Sequence, residues 1–272
     1  MTGTVDLGGD RDRIQSLERG FAVLLAFDAE RPRPTSSDLA VATGLSRPAV
    51  RRILLTLQHL GYVEPVDGRW RLTPRVLSIG QRFTATHSLA EDARPYLSGL
   101  ADRTGESASL AVLDGTDAVY VARIPVRRIM QMDISPGTRV PATATAMGRV
   151  LLAWADEAVI RRVLDAGPPA CTPRTVTDPA ALRRTLREVR AQGWALSAGE
   201  LDPDLIALAA PVRDHSGEVV AALASATSAG RSSPERLVET VLPHVLAAAE
   251  RLSRALGRPA GARFGADRDG FY

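Results

Sequence analysis

The segment LSRPAVRRILLTLQHLGYV (residues 45–63) carries arginine on one side of a predicted helix and apolar residues on the other. At roughly 100° per residue, an apolar stripe falls on one face: Val50, Ile53, Leu54, Leu57 and Leu60. Arg51 and Arg52 fall on the opposite face, and that face carries no acidic residue. Solvent-exposed helices ordinarily mix charges of both signs to gain i,i+4 pairs. A face of one sign is suited to binding the phosphates and base edges of DNA.

A second segment that could bind a ligand is PATATAMGRVLLA (residues 141–153). Small residues and a glycine precede an apolar helix, so the free N–H groups of the first turn can point into a neighbouring cavity. Such a helix start binds carboxylates without any charged side chain. The residues alone leave open whether this is a ligand site or an ordinary helix terminus.

Upstream of the arginine-bearing helix, the pattern predicts a helix that Ser16 caps and that runs to Phe27. Its expected buried stripe consists of Leu17, Phe21, Leu24 and Leu25. The prolines of ERPRPT then end this first helix.

A short second helix is predicted next, with Ser36 or Ser37 as its N-cap and Gly44 at its end. Ser46 is expected to cap the arginine-bearing helix, and Pro48 lies in its first turn, where a missing N–H costs little. A short helix, a glycine-containing turn and a second helix form a helix-turn-helix, whose second helix enters the major groove.

The segment YVEPVDGRWRLT (residues 62–73) predicts a β-hairpin around Asp67 and Gly68. Its returning strand carries Arg69 and Arg71, so the hairpin can act as a wing that contacts phosphates or the minor groove. We expect Trp70 to pack in the core rather than to stack on DNA.

Positive charge concentrates in this first quarter of the chain. Residues 11–75 contain 11 arginines and 7 acidic residues, a net charge of +4, whereas the whole chain has a net charge of +3. That distribution is typical of an electrostatic footprint on nucleic acid. The predicted DNA contacts are Ser46, Arg47, Ala49, Arg51, Arg52, Thr56, Arg69 and Arg71.

The rest of the chain alternates strand and helix patterns. Hairpins are predicted around Asp114-Gly115 and Ser216-Gly217, a capped helix ends at Gly193, and a long helix closes the pattern. This order predicts an α+β fold, with a sheet covered by helices on one side. A cup of the GAF or PAS type is consistent with it.

Composition narrows the possible classes of protein. The chain has 272 residues, of which 45% are hydrophobic and 24% charged, enough for two globular domains. No run of about 18 apolar residues predicts a membrane helix, and the N-terminal residues lack an apolar signal core. Its single cysteine, Cys171, excludes an intramolecular disulfide. We therefore expect a cytoplasmic protein that does not bind to membranes.

Enzyme signatures are absent from the sequence. It contains no G-x-S-x-G, P-loop or G-x-G-x-x-G motif, and its four histidines lack metal-ligand spacing. We expect no catalytic residues, no cofactor and no metal.

Three N-terminal stretches, IQSLERGFAVLLAFD, LSRPAVRRILLTLQHLGYVE and WRLTPRVLSIG, resemble the winged helix-turn-helix of the IclR family of bacterial transcription regulators. The stretches ARIPVRRIMQMDISPGTRVPATATAMGRVLLA and GELDPDLIALAAPVRDHSGEVVAALASATSAGRSS resemble the effector domain of that family. The likeness covers about residues 14–257 and is strongest to the PcaR/PcaU/PobR branch, which regulates aromatic-acid catabolism through the β-ketoadipate pathway.

The resemblance implies an organic acid at the second motif, with Ala146 and Met147 as backbone donors. Further pocket positions are Ser197, Asp204, Ala207, Ala224 and Ala226. Alanines at three of these positions replace the hydroxyl, thiol or amide side chains of several family members, so the pocket is roomier and less polar. Asp204 stands where glycine is frequent, and an acid there favours a hydroxyl-bearing ligand.

We therefore predict a winged helix-turn-helix at residues 14–76 and an effector domain of GAF-like fold at 77–257, with a linker helix at about 77–87 and disordered tails at 1–13 and 258–272. The predicted protein is a homodimer or homotetramer that binds double-stranded operator DNA under the control of a small organic acid. The alternatives are an effector-independent architectural protein, a regulator that responds to another metabolite, and a metabolite-processing enzyme fused to a DNA-binding module.

Overall fold

The computed structural model describes residues 14–28, 31–79, 89–126 and 134–257. The chain divides into two compact units, Met1–His87 and Ser88–Tyr272. The predicted disordered tails lie outside the described residues, as do residues 80–87 of the predicted linker helix.

Three helices and a hairpin lie wholly within the described residues of the first unit, and residues 77–79, in the predicted linker, are also helical. The complete elements are α1 (Gln15–Leu25), α2 (Ser36–Thr43), α3 (Arg47–His59), β1 (Val63–Val66) and β2 (Arg69–Leu72), followed by a 3-10 turn at Pro74–Val76. The strands pair antiparallel. Asp67 and Gly68 both have positive φ, 53° and 75°, as a two-residue type I′ turn requires. The predicted hairpin is confirmed.

The start of α2 differs from the prediction of Ser36 or Ser37. Thr35 is the N-cap, and it forms a capping box with Asp38. The Asp38 amide donates to Thr35 Oγ1 at 3.2 Å, and the Thr35 amide donates to Asp38 Oδ2 at 2.8 Å. The acid three residues after the cap makes Thr35 the better start because it satisfies a second backbone donor.

At α3, the predicted cap is confirmed. The Ser46 hydroxyl accepts from the Ala49 amide at 3.4 Å, and Pro48 lies in the first turn. Gly44 ends α2 in the left-handed conformation with φ of 67°, as predicted.

The core of the first unit is formed mainly by α2 and α3. Val50, Leu54 and Leu57 are buried as predicted, whereas Leu60 is 46% exposed, so the predicted stripe is wrong at its end. The reason is that α3 ends at His59, one residue before Leu60. Trp70 packs against this core.

The prediction for α1 is wrong in its cap and in most of its stripe. Ile14 precedes the helix without a side-chain cap, so Ser16 does not cap it, and the helix ends at Leu25. Val23 is the residue that α1 buries. The exposed apolar residues are Ile14, Leu17, Phe21 and Leu25, at 65%, 57%, 47% and 80%. Their spacing places them on one helical face.

The second unit is an α+β fold. Its described elements are α4 (Leu89–Thr104), β3 (Ser107–Asp114), β4 (Asp117–Ile124), β5 (Arg139–Pro141), α5 (Ala146–Ala153), α6 (Glu157–Asp165), α7 (Pro179–Gln192), β6 (Ala195–Ala198), β7 (Leu205–Arg213), β8 (Val219–Ser228), α8 (Pro234–Thr240) and α9 (Leu242–Ala255). The strands form one antiparallel sheet in the order β5-β4-β3-β8-β7-β6.

The predicted turns of this unit are confirmed. The hairpin after Asp114 joins β3 to β4, the turn at Ser216-Gly217 joins β7 to β8, and Gly193 ends α7 with φ of 83°. The predicted closing helix is instead two helices separated at Val241. Pro243 accounts for the break, because it has no N–H to continue the helical hydrogen bonds.

Helices cover both faces of this sheet, which corrects the prediction of helices on one side. One buried cluster joins the sheet to α5, α6 and α7, and another joins it to α4, α8 and α9. Residues Ala209–Val212 of β7 and Ala221–Ser225 of β8 are buried without interruption. A strand buried at consecutive residues needs a layer of side chains against each face.

Candidate DNA interface and effector site

The outward face of α3 presents three arginines to solvent. Arg47, Arg51 and Arg52 are exposed, and none forms an ion pair with the residues that the structure describes. Thr56 is also exposed, and its hydroxyl donates to the Arg52 carbonyl at 3.0 Å. Half-buried Ala49 adds little bulk between the arginines. This face can approach a phosphate backbone closely and release its counterions.

The two wing arginines differ in their partners. Arg69 Nη1 donates to the Arg33 carbonyl at 3.1 Å, a bond that orients the guanidinium without neutralising its charge. Arg71 Nε donates to Glu64 Oε1 at 2.7 Å across the hairpin, so its charge is already compensated. Of the pair, Arg69 is the better candidate for a phosphate contact.

Sequence reasoning missed Arg33. It is exposed in the loop before α2, and Arg31, Arg33 and Arg69 line a surface cleft together with Asp38. The proline-bordered loop has no periodic pattern, so nothing in the sequence placed it beside the wing.

The predicted effector residues on the sheet come together in one register row. Ser197 of β6 pairs with Ala207 of β7, and Ala207 pairs with Ala226 of β8. Ala224 lies two residues before Ala226 and therefore on the same face. That face is the one covered by α5, because Ala224 and Ala207 pack in the cluster that contains Met147.

The start of α5 lies against this row. The Ala146 amide donates to Ser197 Oγ at 3.2 Å, and the Gly148 amide donates to Thr145 Oγ1 at 3.1 Å. Both amides therefore have acceptors within the protein. The Met147 amide has no acceptor among the described residues, so Met147 is the predicted donor that the structure leaves free for a ligand.

Asp204 is not brought into this group. It is exposed in the turn before β7, where its carboxylate accepts from the Ser228 hydroxyl at 2.7 Å. The Ala229 amide also donates to the Asp204 carbonyl at 2.7 Å. These bonds tie the turn to the end of β8, which explains the role of this side chain in the fold.

A buried ion pair behind α5 was missed by sequence reasoning. The side chains of Arg149 and Glu200 are 5% and 10% exposed, and they pair in a bidentate fashion, with Nη1 to Oε1 at 2.7 Å and Nη2 to Oε2 as the second bond. Arg149 Nε also donates to the Thr143 carbonyl at 3.0 Å. One arginine inside the apolar run AMGRVLLA was the available signal, because a buried cation requires a partner.

The segment before α5 is packed tightly. A Cβ on Gly148 would lie 2.2 Å from the Ala142 backbone, so only glycine permits this close approach. The hydroxyl of Thr143, in the turn Ala142–Ala144, is buried without a hydrogen-bond partner in the described part of the chain. Such a group costs about 1–3 kcal/mol unless a water or a ligand satisfies it.

Neither a metal site nor a membrane helix is present in the described ranges. There, no three His, Cys, Asp or Glu side chains are placed to hold a metal ion. The helices of these ranges are too short or too polar to cross a bilayer.

Comparison with known proteins matches both units. Residues 16–67 match the IclR helix-turn-helix domain, and residues 81–254 match the C-terminal domain of bacterial IclR transcriptional regulators. The chain is 41% identical to the Pca regulon regulatory protein of Pseudomonas putida over 251 residues, covering 91% of this chain and 86% of that protein.

Two further relatives concern an aromatic acid. The p-hydroxybenzoate hydroxylase transcriptional activator of Acinetobacter baylyi is 36% identical over 238 residues, covering 85% of this chain and 88% of that protein. A solved IclR homolog of Microbacterium hydrocarbonoxydans, complexed with 4-hydroxybenzoate, is 28% identical with a TM-score of 0.76, covering 89% of this chain and 100% of that chain.

Proposed function

The chain belongs to the IclR family of transcriptional regulators, and from this premise we propose that a small organic acid, bound in the second unit, controls operator binding by the first. The observation that carries the proposal for DNA is the outward face of α3, with its three exposed arginines and no acid. A helix-turn-helix places that face in the major groove.

Contacts with DNA divide between base reading and phosphate binding. Arg51 and Arg52 lie on the outward face of α3, so we assign them to base edges, where arginine contacts guanine. Arg47 and Arg69 are assigned to phosphates or the groove edge. Ser46, Ala49 and Thr56 allow close approach, and Arg71, paired with Glu64, shapes the wing.

For the effector we propose an aromatic or dicarboxylic acid of the protocatechuate–β-ketoadipate type. The Met147 amide supports a carboxylate at the start of α5, because free N–H groups there attract anions. The alanines at 207, 224 and 226 support a ring or a six-carbon chain, because their side chains are short and apolar and lie on one face of the sheet. The two relatives connected with 4-hydroxybenzoate support the same chemical class.

An operator-binding titration with and without acids tests this proposal. We expect protocatechuate, 4-hydroxybenzoate or β-ketoadipate to change the operator affinity of the wild-type chain. Ala226→Trp should abolish that change and leave basal DNA binding intact, because a large side chain fills the row. Ala166→Trp, at an exposed position, is the matched control.

Two results would contradict the effector proposal. A neutral sugar that binds while all three acids fail even at millimolar concentration would indicate another class of metabolite. Operator binding that no metabolite alters would favour an architectural protein instead.

We also propose that the chain forms dimers through the exposed stripe of α1. Contiguous exposed apolar residues mark interaction sites, and a dimer reads two half-sites where a lone winged domain makes few base contacts. We also propose a cytoplasmic location, because a bacterial regulator meets its operator there. Phe21→Glu should lower the mass measured by light scattering, whereas Val41→Glu, on exposed α2, should not. A wild-type monomer, or a Phe21→Glu variant with unchanged mass, would contradict this interface.

A further inference from the structure

A β-bulge in β4 changes which side chains face α5. Tyr120 pairs with Ala111 and Ala122 pairs with Leu110, so Val121 is an extra residue in the ladder. Tyr120 lies in the core beneath α5, whereas Ala122 lies in the core on the opposite face. Strict alternation would keep residue 122 on the face of Tyr120; the bulge instead brings Arg123 to that face.

Arg123 thereby joins the wall that carries the candidate effector residues. It pairs with Ser109 of β3, and Ser109 pairs with Ala224 of β8. This row is adjacent to the row of Ser197, Ala207 and Ala226 on the same face of the sheet. A cation and a hydroxyl therefore border the alanine-lined surface.

The polar groups of this border lack partners in the described part of the chain. Arg123 is only partly exposed, yet none of the described residues forms an ion pair or hydrogen bond with its guanidinium. Ser109 and Tyr120 are 7% and 6% exposed, and none of the described residues forms a hydrogen bond with either side-chain hydroxyl. A partly exposed cation without an acidic partner, next to two hydroxyls that can still donate, forms a suitable site for an anionic oxygen.

The electrostatics of Tyr120 place the charge of Arg123 near it. Burial raises the pKa of Tyr120, and the positive charge of Arg123 acts in the opposite direction. The neutral phenol and the cation together suit an anionic oxygen, because one donates a hydrogen bond and the other supplies charge.

Arg123 and the start of α5 are too far apart for one carboxylate to contact both. Ser197, which binds the first amide of α5, is on β6, and Arg123 is on β4, with β7, β8 and β3 between them. Four strand spacings amount to about 19 Å along the sheet. Only a ligand with a polar group at each end, together with the long arginine side chain, can bridge this span.

We propose that Arg123, with Ser109 and Tyr120, is a second anchor that selects acids with a second carboxylate at the far end of a chain or ring. The inference rests on the proposed function, because it concerns the same effector site. It assigns the first carboxylate to the start of α5 and the second to β4.

Calorimetric titration of the full chain with paired acids tests the assignment. The pairs are adipate with hexanoate, which have the same chain length, and terephthalate with benzoate, which have the same ring. Within each pair only the first acid has a second carboxylate. For at least one pair, the wild-type chain should bind the diacid about tenfold more tightly or better. Arg123→Gln should remove that preference and change the affinity for the monoacid less than about twofold, and Arg123→Lys should retain part of it. Arg187→Gln, at an exposed position on α7, is the matched control.

The outcomes separate this inference from the proposed function. If acids bind and Arg123→Gln leaves the diacid preference unchanged, or weakens the binding of both members of a pair equally, Arg123 is not a second anchor. The inference is then wrong, whereas the proposed acid effector is unaffected. A wild-type chain that prefers the monoacids has the same consequence. If no acid of either pair, and none of the three acids above, binds to the wild-type chain, the acid effector itself is wrong and the inference falls with it.

Discussion

Arg52 on α3 and Arg149 on α5 are the same residue type in two helices, one half-exposed and the other buried along its whole length, and the two units of the molecule use them in opposite ways. Arg52 is exposed and has no acidic partner among the described residues. Arg149 is 5% exposed and bidentate with Glu200. The first charge is available to another molecule, whereas the second is consumed within the fold.

The difference follows from the cost of removing a charge from water. An exposed guanidinium keeps its hydration, so it can stay unpaired until a phosphate or a base meets it. A buried guanidinium without a partner would cost several kcal/mol, so α5 can contain Arg149 only if Glu200 is positioned opposite. Solvent exposure therefore separates the arginine that we propose to bind DNA from the one that is paired with Glu200 inside the fold.

The largest effect expected is that of Arg149→Met. Removal of one partner leaves Glu200 as an uncompensated buried charge, which should lower the free energy of unfolding by about 3–5 kcal/mol. Urea denaturation of the full chain, followed by circular dichroism, measures it. The double variant Arg149→Met with Glu200→Leu should recover most of the loss, since no buried charge remains. A single variant within about 1 kcal/mol of wild type would mean that the pair is effectively solvated.

Arg52, the exposed arginine of the comparison, should affect DNA binding instead. Arg52→Ala should weaken binding to the cognate operator by about 1–3 kcal/mol and relax the base preference at one position. Its free energy of unfolding should stay within about 0.5 kcal/mol of wild type, because the side chain is exposed. Fluorescence anisotropy on operator and scrambled DNA measures the first effect. Arg71→Ala is the control, since its charge is already paired with Glu64; equal losses in both variants would contradict the assignment.

Arg69→Ala should weaken binding to all DNA sequences alike and reduce the slope of log affinity against log salt by about one unit. The physical reason is that a phosphate contact releases one counterion and reads no base. Anisotropy titrations at several salt concentrations on both DNAs provide the slope. An unchanged slope, or a loss confined to operator DNA, would remove Arg69 from the phosphate contacts.

The smallest effects concern the capping box of α2. Thr35→Ala should cost about 1 kcal/mol of stability, because it removes an N-cap hydroxyl. Backbone hydrogen bonding by Thr35 lowers the pKa of Asp38 below its ordinary value of 3.8. The ionised form is therefore favoured in the folded chain, so its stabilisation is present above about pH 4 and is lost as the pH falls through the lowered folded pKa.

Asp38→Asn should consequently make the melting temperature fall less steeply between pH 7 and pH 3, because the variant has lost one carboxylate that titrates with a lowered pKa in the folded chain. Asp67→Asn, at an exposed position in the same unit, is the control. An Asp38→Asn profile parallel to that of wild type would show that the capping box does not contribute to acid stability.

Much of the first unit could be predicted because its signals are local. The cap at Ser46, the left-handed glycine at 44 and the type I′ turn at Asp67-Gly68 each depend on a few neighbouring residues. The error at α1 has a different origin. The helical period of its apolar residues predicts a stripe, but a period does not indicate whether the stripe packs against the core of the same unit, and most of this one is exposed.

In the second unit, only the family resemblance predicts Ser197 and the alanines at 207, 224 and 226 as pocket positions, and strand register explains why they lie together. Residues on β6, β7 and β8 share a row only because hydrogen bonding between strands aligns them. Asp204 was a reasonable candidate by position, but its turn bonds to the end of β8 and keeps it apart.

The sequence by itself determined that the chain has a helix-turn-helix with a one-signed face and a wing, because cap, turn and helical period are written in adjacent residues. Only the tertiary structure decided that Arg149 is buried against Glu200 and that Arg123 faces α5. The first depends on a contact between residues 51 positions apart. The second depends on one extra residue in the ladder between β3 and β4, and the face on which each side chain lies is fixed only when the register of the two strands is set.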